Sequence, residues 1–321
     1  MELKLTINSL DVTQLCQGQI KCETSRKGSC GKLTISLLNH AGLTYHEGDE
    51  VNLIIDEINL FKGYVFKKQR TKEQIIETTC YDQLIYLKLN KETYVYEELT
   101  ATQVIQKIAG DFQLKIGHLA NTGYVIPSRE EDIQTLIDII YTALDLTLIN
   151  TGQLFVLYDQ EGSLTLKSIQ EMRQDKILST EQTLIDYDYT IDIETQTFNQ
   201  IKLVRDNEEI GRRETFIEKD SLNMNRWGII QQHEKVSENL TEGQVINLVQ
   251  RKLALYNRIH RSLKVTELAG DPTMRAGQSL LVQIPNLGEI NLNHWLVIEK
   301  CTHLIKNNEH IMELELVGEF Q

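Results

Sequence analysis

At 321 residues the chain exceeds what one hydrophobic core usually supports, because cores tend to split beyond about 250–300 residues; two or three domains are expected. With 41% apolar residues and only three prolines, it suits packed cores joined by short loops, and no stretch is polar enough for disorder. A net charge of −13 excludes general nucleic-acid binding, which needs clustered Lys and Arg, and it disfavours anionic membranes.

The opening residues, Met-Glu-Leu-Lys-Leu-Thr-Ile, alternate apolar and polar like a first β-strand and lack the apolar run of a secretory signal. No run of about 18 apolar residues follows anywhere, so membrane insertion is not expected. Segments 32–38 (KLTISLL), 50–55, 60–69 and 74–81 are short, β-branched and aromatic, with turns at His46–Asp49 and Asp56-Glu57. The basic groups Lys67, Lys68 and Arg70, and Arg258 with Arg261, sit inside strand or helix patterns and read as solvated faces. Cys16, Cys22, Cys30, Cys80 and Cys301 are odd in number and contain no Cys-x-x-Cys, which points to free thiols in a reducing cytoplasm.

The pattern changes at Thr100. Thr100 and Gln103 form a capping-box signature ahead of Val104, Ile105 and Ile108, with Gly110 as a stop. Ser128 and Glu131 suggest a second capping box, opening a helix through Ile133, Leu136, Ile137, Ile140, Tyr141 and Leu144. Strands are then expected at 146–149, 153–158 and 164–168.

From about 185 strands return, at 198–205, 212–219, 228–234, 262–268, 279–284, 295–305 and 310–317, the last two joined around Asn307-Asn308. One helix interrupts them near 241–257, with Thr241 and Gln244 as its capping box. The expected fold is mainly β with a small α+β portion. Two β-barrel-like domains, residues 1–94 and 179–321 (the second with an inserted helix), would flank an α+β domain at 95–178. HEGDEVNLII (46–55) and RAGQSLLVQI (275–284) share a turn glycine and an apolar strand, each followed by an aromatic-bearing strand and a closing strand, which suggests internal duplication.

Candidate chemistry is sparse. Gly28-Ser29-Cys30-Gly31-Lys32 lacks the glycine spacing and the hydroxyl residue of a phosphate loop and reads as a tight turn. Asp186, Asp188, Asp192 and Glu194 fall on one face of a strand pattern together with Thr190. An EF-hand loop would need glycine and glutamate where Ile191 and Thr197 stand. Two readings stay open for this acidic strand: a solvated edge that resists aberrant pairing, or the lining of a channel. Cys301, His303 and His310 lie across one hairpin, but a structural zinc site needs a fourth ligand, and His294 would have to be brought in from before the strand begins. Cys80 looks like strand interior. No Gly-x-Ser-x-Gly and no His-Glu-x-x-His occurs, so no catalytic residue, cofactor or metal is assigned.

Several segments, in order, resemble the XkdQ/YqbQ family of phage tail proteins from PBSX-like prophages. They are TSRKGSCGKLTISLL (24–38), HEGDEVNLIIDEINLFKGYVFKKQR (46–70), TTCYDQLIYLK (78–88), LTATQVIQKIA (99–109), RWGIIQQHEKV (226–236), MRAGQSLLVQI (274–284) and HIMELELVG (310–318). The family is similar to the baseplate hubs of contractile tails and bacteriocins. That resemblance implies a non-enzymatic virion protein, assembled in the bacterial cytoplasm. Three copies would place six barrels in a pseudo-sixfold ring joining the tail tube, or its initiator, to a central spike, with a LysM tail protein and the tape measure as further partners. Asp186, Asp188, Asp192 and Glu194 would then line the passage for DNA or ions. The chain ends at Gln321 soon after its closing strand, so an attached peptidoglycan hydrolase is not expected. The rival readings are a hydrolase component and a cell-wall-binding module. The second would need exposed aromatic platforms, whereas Trp227 and Trp295 fall in strand patterns.

Overall fold

The computed structural model describes residues 1–40, 42–70, 72–180, 186–207, 211–287 and 290–318; Gln321 lies outside them. The N-terminal strands are β1 (Leu3–Ile7), β2 (Leu10–Asp11), β3 (Ile20–Ser25), β4 (Lys32–Leu38), β5 (Glu50–Ile55), β6 (Ile58–Arg70) and β7 (Ile75–Tyr81). Their period of two does the sorting: Leu33, Ile35 and Leu37 are buried while Lys32, Thr34 and Ser36 face outward. The β5–β6 hairpin turns on Asp56 and Glu57, both at positive φ (47° and 67°), which is the two-residue loop matching strand twist.

The middle of the chain is α1 (Leu84–Leu89), β8 (Lys91–Thr100), α2 (Ala101–Asp111), β9 (Ile116–Leu119), β10 (Val125–Thr135), α3 (Leu136–Thr151), β11 (Phe155–Gln160) and β12 (Ser163–Ser168). Thr100 and Gln103 cap α2 reciprocally, as expected. Ser128 and Glu131 do not cap a helix. They pair with Glu97 and Tyr94 of β8, a bulge follows Glu131, and Thr135 caps α3 instead. The local capping signal lost to cross-strand pairing that buries Tyr94, Tyr96 and Ile126. Residues 146–149 are helical rather than a strand, because Ile149 extends the apolar face of α3 until Gly152 (φ 72°) ends it.

The remainder is β13 (Arg173–Ser179), β14 (Asp186–Asp192), β15 (Gln200–Asn207), β16 (Arg212–Lys219), α4 (Ser221–Trp227), β17 (Gln231–Lys235), α5 (Glu242–Tyr256), β18 (His260–Ala269), β19 (Ser279–Leu287), β20 (Ile290–Lys306) and β21 (Glu309–Val317). The Thr241–Gln244 capping box opens α5. Trp227 ends a helix rather than beginning a strand.

The mainly β character with an α+β portion holds, but the two expected barrels are not present. Among the described residues no sheet closes or curls on itself; one 13-stranded sheet runs β14-β18-β21-β20-β3-β4-β7-β6-β5-β1-β2, with β13 and β19 attached beside β20. The cause is β20, 17 residues long. Its first half pairs with β19, and its second half pairs with β3, from Lys300↔Ser25 to Ile305↔Ile20. That second half buries Ile305 in the N-terminal apolar cluster, so the strand welds the two halves into one open sheet. Four further clusters occur among the described residues: β18–β21 (Leu263, Val282, Ile298, Leu316), α2 and α3 with their strands (Ile105, Leu136, Ile140, Leu166), β15 with α5 (Ile201, Leu203, Val245, Val249), and a small one of Val156, Tyr158 and Met172.

The two halves of the large sheet repeat one another. Gly48 (φ 92°) donates its N–H to the Val65 carbonyl and Gly277 (φ 90°) donates to that of Ile298, each at 2.8 Å. Val65 and Ile298 donate back to Asp49 and Gln278, at 2.9 and 2.8 Å. A β-bulge follows each, before Lys67 and before Lys300. The duplication suggested by 46–55 and 275–284 is therefore a backbone equivalence.

Candidate functional site

The acidic residues lie where the large sheet ends. Asp186 and Asp188 stand exposed on edge strand β14, on the face opposite Tyr189, which packs on the C-terminal cluster. Asp192 closes the strand. Its Oδ2 lies 3.0 Å from His260 Nδ1, and its Oδ1 accepts the backbone N–H groups of Glu194 (3.0 Å) and Thr195 (2.7 Å). Partial burial would raise its carboxyl, but these bonds from Thr195 and His260 prevail and hold it below the usual range. Glu194 sits in the bend beyond β14, exposed, and does not continue the strand face. Three of the four acids thus share a strand, and one of these shapes the turn.

The hairpin trio is brought together as core. His303 is buried; Cys301 Sγ lies 3.3 Å from its Nε2, His310 Nε2 lies 2.9 Å from its Nδ1, and the Met274 carbonyl lies 2.9 Å from its Nε2. Burial pushes His303 down to about 4, so the ring stays neutral at ordinary pH. No group of three or more His, Cys, Asp or Glu able to hold a metal occurs among the described residues. The Gly28–Lys32 turn is closed by a carboxylate: Gly31 donates to Asp82 Oδ2 at 2.8 Å, and a Cβ on Gly31 would sit 2.5 Å from that oxygen. Trp295 is 36% exposed with the Arg173 guanidinium 4.9 Å from its ring, so it is less packed than its strand pattern suggested.

Two clusters were missed in the sequence. At the junction of the N-terminal strands, the helical part and the C-terminal strands, a cavity of about 510 Å³ is walled by Asp82, Asp159, Tyr158 and Arg275. Arg275 stacks 3.9 Å over the Tyr158 ring and donates to the Asp159 carbonyl at 3.0 Å. Burial, then the charge of Asp159, raise Asp82 to about 8. Between β10, β17 and α5, Arg129 bonds Glu131 (2.7 Å) and Glu234 (3.4 Å), while Lys252 also bonds Glu234. Both clusters join residues far apart in sequence, and no spacing rule announces them. Their chemistry is cohesive: they tie elements together and present no nucleophile beside a base.

A family model described as YQBQ-like matches residues 20–317. The chain belongs to that family. This is the XkdQ/YqbQ family of phage tail proteins, as the ordered segments implied. YqbQ of Bacillus subtilis (strain 168) is 30% identical over 279 residues, covering 87% of this chain and 83% of that protein. The phage-like element PBSX protein XkdQ of the same organism is 30% identical over 273 residues, 84% of this chain and 82% of its own. Among solved structures, the 43 kDa tail protein of prophage MuSo2 from Shewanella oneidensis shares the fold, with a TM-score of 0.69. It is 15% identical and covers 99% of this chain and 98% of its own.

Proposed function

We propose that this chain, a structural protein of a phage-type tail or baseplate, is the tail hub. Three copies close a pseudo-sixfold ring that joins the tail tube, or its initiator, to the central spike and lets DNA or ions pass. The observation that carries this reading is the repeat centred on Gly48 and Gly277, because a trimer imitates sixfold symmetry only if each chain holds two equivalent units. In this reading those units lie in residues 1–94 and 179–321, with residues 95–178 between them. Family membership and the shared fold support it.

The work is done by interfaces and shape, without catalysis. Spike and tube are the principal partners, with a LysM tail protein and the tape measure as further contacts. The acidic face bearing Asp186, Asp188 and Asp192, with Glu194 beyond it, lines the passage and repels phosphate so that the polymer does not adhere.

The test is co-expression of the tagged chain with its neighbouring tail proteins, followed by purification and electron microscopy of labelled particles. Label at the junction of tube and spike is the expected result. A chain that never enters particles, or one that releases fragments from purified peptidoglycan, overturns the reading.

A further inference from the structure

β6 and β20 occupy the same place in the two repeats, yet the edge of β20 that pairs with β19 continues onto β3, whereas the matching edge of β6 pairs with β5 only as far as Tyr64. Register pairs run Cys22–Leu33–Cys80–Val65 across β3, β4, β7 and β6. They run Tyr189–Leu263–Leu316–Ile298 across β14, β18, β21 and β20. Strand for strand, β3 therefore corresponds to β14 and β6 to β20. Within the chain, Lys300–Ile305 of β20 pairs antiparallel with β3 along the edge that β19 leaves open. The matching edge of β6 is open too. Tyr64 pairs with Glu50 of β5 on one side and Tyr81 of β7 on the other; from Lys67 onward only β7 continues among the described residues. Among the described residues β14 likewise pairs only with β18, and its outer edge carries no strand.

We propose that β14 of one copy pairs antiparallel with the second half of β6 in the next copy, repeating between chains the β3–β20 pairing made within each chain. Transferring that register sets Lys67 opposite Asp192, Lys68 opposite Ile191, Gln69 opposite Thr190 and Arg70 opposite Tyr189. The two edges cannot meet within one chain, since β18, β21, β20, β3, β4 and β7 lie between them. The contact is head-to-tail, the kind that generates rings.

Side chains agree with backbone. In that register Lys67 falls opposite Asp192, an opposite-charge pair on the face of β14 that also carries Asp186 and Asp188. On the other face the exposed Arg70 falls opposite Tyr189, and its stem reaches the neighbouring Ile191, 50% exposed in the single chain, while Lys68 stays bound to the Tyr45 carbonyl of its own chain at 2.7 Å.

The pairing rests on the ring reading, and one experiment separates their failures. Gln69→Cys and Thr190→Cys are combined in one chain with Cys16→Ser, the other native thiols being buried. The protein is treated with a short thiol–thiol cross-linker, and native mass is measured in parallel. The expected result is a trimer by mass and a covalent ladder ending at three chains, with at least a tenfold lower yield from the off-register pair Gln69→Cys/Asp188→Cys. A trimer without in-register cross-links overturns the pairing and leaves the ring. Cross-linked chains that run on past three keep the pairing and overturn ring closure. Monomers without cross-links at every concentration overturn both.

Discussion

Gly48 and Gly277 share a backbone but not surroundings. Both hold φ near 90° and donate to the equivalent carbonyls of Val65 and Ile298. A Cβ on Gly277 would meet Val156 Cγ1 at 2.4 Å, whereas a Cβ on Gly48 would meet nothing within 4 Å. The C-terminal unit packs its turn against β11; the N-terminal unit leaves the same turn free.

Alanine at either position imposes the backbone penalty of a left-handed residue, about 1–3 kcal/mol. At Gly277 it also forces Val156 to move. Gly277→Ala is therefore expected to lower stability by at least about 1 kcal/mol more than Gly48→Ala, read as denaturant midpoints at constant m-value. Equal losses would remove the packing argument.

Stability should fall as pH rises past neutrality. Asp82, raised from 3.8 to about 8, binds its proton more tightly folded than unfolded, so its contribution is full below about 4 and is lost progressively up to about 8. His303, lowered from 6.5 to about 4, works oppositely, losing stability as pH drops through that window. Between about 4 and 6.5 the two act in opposite senses; above 6.5 only the fall from Asp82 and from its neighbour Asp159, raised in the same sense by burial, remains. Urea melts across this range should show that fall in the wild type and a flatter profile in Asp82→Asn.

The Arg129–Glu131–Glu234–Lys252 cluster joins β10 to β17 and α5. Glu234→Ala strands Lys252, which is 6% exposed, without its partner and is expected to cost about 3 kcal/mol. Glu234→Leu with Lys252→Met should recover most of this. A double variant no more stable than the single one would contradict the account.

Charge reversal at the free edge of β6 separates folding from assembly. Lys67 and Arg70 are exposed, so Lys67→Glu with Arg70→Glu should change thermal stability by less than about 0.5 kcal/mol. Association, followed by sedimentation, should weaken at least tenfold.

Local chemistry was legible in the sequence. The Thr100–Gln103 and Thr241–Gln244 boxes act within one turn, and the Asp56-Glu57 and Asn307-Asn308 hairpins within four residues, so their signals survive folding. The turn glycines aligned in 46–55 and 275–284 marked the repeat because a positive φ restricts residue choice. Ser128 and Glu131 misled because a distant strand, β8, outbid the local cap. The barrels failed for a related reason: composition identifies strands, but whether β3 joins β20 is decided by burial of Ile305 some 280 residues away. Of the site, the acids of β14 were readable as an alternation, while the use of Asp192 to hold His260 and the following turn was not.

The most direct test of the hub reading is single-particle electron microscopy of the purified protein, alone at high concentration and co-expressed with its spike and tube proteins. The account predicts rings with a central opening, three chains by mass and density near sixfold symmetric. Monomers in both preparations, or rings of another subunit number, would contradict it.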